Sequence, residues 1–263
     1  MPFLSGEVYR SMCDVAWSPG QVLGVDDRVV FCRNDMLDGF LGGGHGGRRC
    51  VLVSGMCDIA VDDALASRKP PNVVRWFAHN RTCNHPLVEA MPLGVGNEFN
   101  GPGTQDAIQR VRGKNASGEN LLLAAFAINT NPAERMVALA AVHGKKWATE
   151  ACFLNHGGHV MDFDAYLWRC RSHIMVLSPP GNGVDCHRTW ETIYAGSIPV
   201  VKRSRATCDF SDLPILLVDD WNQLTLPYLM GLLVQSARKG VNIARLTPEY
   251  WSNRFRSALK ETP

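Results

Sequence analysis

In the stretch SPPGNGVDCHRTWETIYAGSIPVV, residues 178–201, His187, Arg188 and Glu191 crowd into about one helical turn between a proline–glycine loop and an apolar strand. Pro179 and Pro180 stiffen the exit from the preceding strand, and Gly181 and Gly183 let the backbone approach a ligand closely. Asp185 is the natural N-cap of the helix that follows. The open N–H groups at such a helix end favour an anion. His187 and Arg188 in the first turn work against the helix dipole unless something negative sits beside them, so the local conflict itself points to phosphate. Arg188 can fork two oxygens of a diphosphate. Glu191 falls three residues further on the same face, where its carboxylate can accept hydrogen bonds from two vicinal hydroxyls, as on a ribose. Together these groups suit a nucleoside diphosphate. The plain alternative is a surface ion pair between Arg188 and Glu191, worth a few tenths of a kcal/mol. The glycine loop before the pair and the apolar strand after it weigh against that.

The elements that must position these groups alternate between short apolar runs and helical patterns. RVVFC (28–32), CVLVS (50–54) and NVVRWFA (72–78) read as strands, with a fourth in EAMPLGVGN (89–97), bent by Pro92 and Gly94. LGGGHGGRR (41–49) reads as a glycine loop. Residues 97–118 turn toward Gly, Asn and charge, and the domain boundary is expected near 113–118, giving one domain over 1–115 and a second over 116–263. NLLLAAF begins the second half as a strand. NPAERMVALAAVHG has a complete helix grammar, with Asn131 as N-cap, Pro132 at the first position, Glu134 three residues after the cap and Gly144 as terminator. FDAYLWRCR reads as a helix and HIMVLSP as a strand. IPVVK and LPILLVDDW read as strands, and TLPYLMGLLVQSARKG and TPEYWSNRFRSALKE as closing helices. Runs apolar on both faces are those of parallel strands covered by helices, so an α/β fold with two Rossmann-like domains is expected, its ligand cleft at the carboxyl ends of the strands.

Composition sets wide bounds. The chain has 263 residues, 46% hydrophobic and 20% charged, with a net charge of +2. That is ordinary globular chemistry, and so weak a basic bias neither demands nor excludes a polyanionic partner. Its nine cysteines are odd in number and include no CxxC pair, which predicts reduced, buried thiols, with Cys32, Cys50 and Cys152 inside apolar runs. No close Cys/His set has zinc-finger spacing, so no metal is expected. The start MPFLSGEVYRSMCD lacks a basic segment and an apolar core, which leaves the sequons at Asn80 and Asn115 little weight. No run approaches the length of a membrane span. A cytoplasmic protein is expected, in the host cytoplasm if the chain is viral.

HRTWETIYAGSIPVVK is similar to the nucleotide-sugar-binding segment of exostosin-like glycosyltransferases of the GT-B fold. The fuller form SPPGNG-D-HRTWE most resembles short members of viral, bacterial and algal origin. FAINTNPAERMVALA and LPILLVDDWNQLT resemble further parts of the C-terminal domain in that family. SGMCDIAVDD and VVRWFAHN…HPLVEAMPLGVGN fit the acceptor domain more loosely. The resemblance spans residues 5–255 and is specific over 174–221. It implies that the chain is an enzyme moving sugar from a nucleoside-diphosphate sugar, UDP by family frequency, to an acceptor hydroxyl, with no other cofactor. It implies that Arg188 contacts the diphosphate and Glu191 the ribose, that Ser178, Gly181, Asn182 and Gly183 line the phosphate loop, and that His187 bonds the distal phosphate or the sugar. Trp190 reads as core, and Asp219 and Asp220 as loop solvation.

Sugar transfer needs stabilisation of the leaving diphosphate and removal of a proton from the acceptor. VDDA and VDDW are not Asp-x-Asp motifs, so metal-independent catalysis is expected, with Lys202 and Arg135 as secondary phosphate contacts. The base belongs at the end of a strand in the first domain. Asp58, after CVLVSGMC, and His79, after VVRWFA, both fit, with Asp35 third. A base of this kind opposite the donor would invert the sugar. The acceptor is a glycan, a small molecule or a hydroxymethylated base of viral DNA. For DNA, Arg48, Arg49, Arg68, Lys69, Arg110 and Arg112 would meet phosphates and make affinity fall steeply with salt. A non-catalytic nucleotide-sugar-binding module and a nucleotide-sugar epimerase are the other classes compatible with these residues.

Overall fold

The computed structural model describes residues 2–98, 103–114, 120–153 and 161–261. The sequon at Asn115 and, within the stretch 97–118, residues 99–102 and 115–118 lie outside them. The chain forms two compact units, Met1–Leu93 with Ile243–Pro263, and Gly94–Asn242. The expected division at 115/116 thus differs from the observed one at 93/94, and the last helix belongs with the first unit. That helix, Pro248–Ala258, buries Trp251, Phe255 and Ala258 along one face, as spacings of four and three residues require. Phe255 lies 4.9 Å from Phe77 between ring centroids, and Trp251 lies 6.1 Å from Tyr9. Arg254 ties the helix further to Glu89 at 2.7 Å.

In the first unit five strands run parallel in the order β1-β2-β3-β4-β5: β1 Val15–Ala16, β2 Val29–Arg33, β3 Cys50–Gly55, β4 Val73–Ala78 and β5 Val88–Ala90. Every residue of β3 is buried, and so are four of the five in β2, the pattern of strands covered on both faces. β1 is too short to show a period and is not legible in the sequence. Only the start of the glycine stretch departs from a loop: Phe40–Gly44 form a wide helical turn, entered from the short helix Leu37–Gly39 and interrupted at Gly43 (φ 136°), while residues 45–49 are loop.

The second unit holds β6 Asn120–Ala124, β7 Ala148–Glu150, β8 His173–Leu177, β9 Ile198–Lys202 and β10 Leu216–Val218, all parallel, in the order β10-β9-β8-β6-β7. From β6 the chain goes first to one side, to β7, and then to the other, to β8. The carboxyl ends of β6 and β8 therefore flank a topological switch point, where ligands of open α/β sheets bind. Leu122, Ala124, Met175, Leu177, Val200 and Val218 form the core of one face. The helix Pro132–Val142 starts as its grammar predicts, with the Asn131 side chain accepting from the Glu134 amide and proline in the first turn. Among the described residues no helix is long and apolar enough to cross a membrane.

Candidate functional site

The site grows from the carboxyl ends of β6 and β8. After β8, the Ser178 amide donates to the Val200 carbonyl at 2.8 Å, and its hydroxyl shares a 2.9 Å hydrogen bond with the hydroxyl of Thr189 and lies 3.2 Å from the Cys186 thiol. Ser178 thus stitches the loop to the helix His187–Ala195. The loop is also held from the helix Pro132–Val142, since Arg135 Nε donates to the Pro180 carbonyl at 2.9 Å and Asn131 Nδ2 to the Gly181 carbonyl at 3.1 Å. A Cβ at Gly181 would stand 2.7 Å from Arg135 Nη2, so glycine is needed for this close approach. Gly183 is buried beside it and Asn182 is exposed at the tip.

The helix starts one residue later than expected. Its N-cap is Cys186, whose side chain makes no cap hydrogen bond, leaving the first-turn amides without a side-chain acceptor there. Asp185, expected as the N-cap, is turned inward. Its Oδ1 accepts from the Cys186 amide at 2.8 Å, and its two oxygens accept from Trp190 Nε1 at 3.0 and 2.9 Å. Trp190 is core, as expected, with its ring edge-on to Phe210 at 5.0 Å. Asp185→Ala would strand the buried indole N–H, and the variant is expected to lose about 2 kcal/mol of stability, read as a lower urea midpoint at unchanged slope.

Arg188 and Arg135 converge on one aromatic ring. Their guanidinium carbons lie 5.4 and 5.8 Å from the Phe126 ring centroid, within cation–π range. Arg188 Nε donates to the Ala125 carbonyl at 2.9 Å, while its Nη1 is buried with no hydrogen-bond partner among the described residues. A buried N–H of this kind is costly unless something accepts from it. Burial and the neighbouring Arg188 cation push the Arg135 guanidinium down to about 10. Two crowded cations at a helix start form a locus that a phosphate anion would relieve.

Glu191, 8% exposed, sits one turn along. Burial pushes its carboxyl up, opposed by the His187 and Arg188 charges, by a hydrogen bond from the Gly96 amide and by the Tyr166 hydroxyl. A Cβ at Gly96 would stand 3.8 Å from Glu191 Oε1, in ordinary contact. His187 Nδ1 donates to the Gly94 carbonyl at 2.8 Å, which fixes the ring and leaves Nε2 as its second nitrogen. The plain reading of Arg188 and Glu191 as an exposed pair therefore fails: both are drawn into the protein. Lys202 is engaged elsewhere, with its Nζ on the two Glu134 oxygens at 2.8 and 3.0 Å, one of which also accepts from Trp221 Nε1. Asp219 pairs with Arg203 at 2.6 Å, and Asp220 caps the turn at Trp221–Gln223.

The base candidates all lie in the first unit. Asp58 is exposed on the bend after β3. His79 is 0% exposed, its ring edge-on to Tyr9 at 5.2 Å, and a Cβ at Gly55 would collide with it at 2.3 Å. Asp35 forms a two-pronged ion pair with Arg33 at 3.0 and 2.9 Å. Most of the basic residues expected to meet DNA have intramolecular partners. Arg68 pairs with Asp38, Arg110 with both Asp164 oxygens at 2.9 and 2.8 Å, Arg49 with the carbonyls of Leu259 and Glu261, and Lys69 with those of Pro70 and Val73. Arg48 is exposed. All nine cysteines are free thiols, and burial raises those of Cys32 and Cys50 to about 12. Asn80, the first residue of the other sequon, is buried.

No family model matches the chain, and no curated protein does either. Among solved structures it is similar to the alpha,alpha-trehalose-phosphate synthase (UDP-forming) from Burkholderia vietnamiensis, at 12% identity and a TM-score of 0.45 over 91% of this chain and 74% of that one. It is similar to the alpha,alpha-trehalose 6-phosphate synthase from Burkholderia multivorans to the same degree, with 90% and 72% covered. Likeness at this level does not reach substrate or chemistry. Sequence reading missed Asp185 as the partner of Trp190 and Phe126 as the ring between two guanidinium groups; an aspartate five residues before a tryptophan was the only signal for the first.

Proposed function

We propose that the chain is a glycosyltransferase that binds a nucleoside-diphosphate sugar in its second unit and passes the sugar to an acceptor hydroxyl. The observation that carries this reading is the buried Nη1 of Arg188, unpartnered among the described residues, beside the buried carboxylate of Glu191, at the switch point between β6 and β8. Arg188 forks the diphosphate, with Arg135 adding charge from behind the loop. Glu191 receives the ribose hydroxyls, and His187 presents Nε2 to the distal phosphate or the sugar. Gly181, Asn182 and Gly183 line the phosphates through their backbone, while Ser178 holds the loop's shape. The sugar–oxygen bond breaks as the acceptor oxygen attacks. The charge appearing on the diphosphate is taken up by the two guanidinium groups, so the step needs no metal. The acceptor's proton goes to Asp58 rather than to Asp35, whose carboxylate, also exposed, is held by Arg33, and the sugar is inverted. UDP is the nucleotide the exostosin-like resemblance implies. A glycan or small molecule suits the acceptor better than DNA, since four of the six basic residues a DNA backbone would need are already engaged.

A thermal-shift panel of UDP-, GDP-, ADP- and CMP-sugars, followed by an assay of nucleotide release, tests this. A UDP-sugar is expected to give the largest shift, and a flat panel sinks the proposal. Glu191→Ala is expected to raise the donor dissociation constant by roughly 30- to 100-fold through loss of two charge-assisted hydrogen bonds. The pH dependence has a definite sign. Ribose hydroxyls donate to the ionised carboxylate, and burial raises the pKa of Glu191 above the ordinary value of 4.5. Affinity is therefore full above the raised pKa, falls as pH drops through it, and binding releases protons in that window. Calorimetric titration at descending pH should show this loss in the parent and its absence in Glu191→Gln.

A further inference from the structure

The carboxyl edge of the first unit's sheet carries a bend that is held more firmly than an exposed bend requires. β3 ends at Gly55, and the chain turns through Met56 at φ 56° before reaching Asp58. Asn80, just past the end of β4, is also left-handed at φ 51°. Such a conformation is unusual for a methionine and persists only where the surroundings over-determine it. Two buried amides do so here. Asn34, directly after β2 and 4% exposed, donates Nδ2 to the Ile59 carbonyl at 2.7 Å. Asn80, 2% exposed, donates Nδ2 to the Cys57 carbonyl at 3.2 Å. β2 and β4 flank β3. The carbonyls of Cys57 and Ile59, the residues on either side of Asp58, are therefore each held by a buried asparagine from a flanking strand's end, while Asp58 itself stays exposed. The Asn80 carbonyl continues the grip by accepting from the Val61 amide at 3.0 Å. Asn34 makes its donor bond while its Oδ1 stays buried without a partner among the described residues. Carbonyls on an exposed bend are ordinarily satisfied by water; here buried side chains are committed to them instead.

We infer that Asn34 and Asn80 are positioning residues that hold the Asp58 carboxylate at a fixed place and angle for proton removal from the acceptor. The inference rests on Asp58 being the acceptor base. A general base works only within hydrogen-bond reach of the proton it takes, and holding it there by a rigid supporting shell raises turnover without touching donor affinity.

Met56→Gly and Asn80→Gly test this in the full chain, because glycine accepts a positive φ without strain and either change loosens the bend while leaving the fold at ease. Asp58→Asn is the third variant. The assay is nucleotide release from whichever sugar donor gives the largest thermal shift, with water accepting the sugar. Both glycine variants are expected to lose 10- to 100-fold in kcat, to keep the donor Kd within about twofold, and to show a displaced acidic limb in the pH–rate profile. A merely structural role would lower the denaturation midpoint and leave that limb in place. If Asp58→Asn is inactive while both folded glycine variants keep the parent's kcat and acidic limb, the clamp alone is overturned. If Asp58→Asn turns over normally, or if the parent shows no shift or no nucleotide release, the reading beneath the clamp falls and takes it along.

Discussion

Replacing Arg188 by alanine is expected to weaken nucleotide-sugar binding by about a thousandfold, roughly 4 kcal/mol. Its guanidinium is anchored by Nε to the Ala125 carbonyl and stacked on Phe126, so the remaining nitrogens are aimed before any ligand arrives. Little is lost in ordering the side chain on binding, which is why the whole charge-assisted fork should count. Arg188→Lys is expected to recover less than tenfold of that loss. One ammonium cannot hold the carbonyl, lie on the ring and fork two oxygens together. The unliganded protein should be little destabilised by Arg188→Ala, because the residue carries a buried donor with no partner among the described residues and its removal relieves that cost. Titration of the donor into each variant checks the affinities, and urea denaturation checks the stability. Arg110→Ala serves as control: that guanidinium is exposed and paired with Asp164, so affinity should not change.

Asp58→Asn is expected to lower nucleotide release and sugar transfer by about 100- to 10,000-fold while leaving donor affinity as it was. The amide keeps the size of the carboxylate and removes only its capacity to take a proton. His79→Gln should behave differently. The imidazole is fully buried against Tyr9, and a Cβ at Gly55 has no room beside it. Its loss should appear as reduced stability with an unshifted pH–rate profile. Single-turnover rates with the donor bound, measured across pH, separate the two outcomes. An inactive His79→Gln of normal stability would move the base assignment from Asp58 to His79.

Much of the frame was legible from neighbours along the chain. The cap of the helix at Pro132–Val142 is written in Asn131, Pro132 and Glu134, and the parallel strands show as runs apolar on both faces. The three-residue spacing of Arg188 and Glu191 by itself puts both on one helix face. These features depend on periods of 2 and 3.6 residues and on local hydrogen bonds, which a linear sequence displays directly. What tertiary structure decided is of another kind. Asp185 turns inward because the Trp190 indole is buried and needs an acceptor, so a good local N-cap signal loses to a core requirement. Pro248–Ala258 joins the first unit because its aromatic face matches Phe77 and Tyr9, although the chain reaches it only after the whole second sheet. Arg135 and Arg188 meet at Phe126 only because β6 lies beside β8, and Asn34 and Asn80 grip the Asp58 bend only because β2 and β4 enclose β3. Which strands become neighbours is set by burial summed over the entire fold. No short window of sequence contains that sum, so the local elements were readable in advance and their convergence was not.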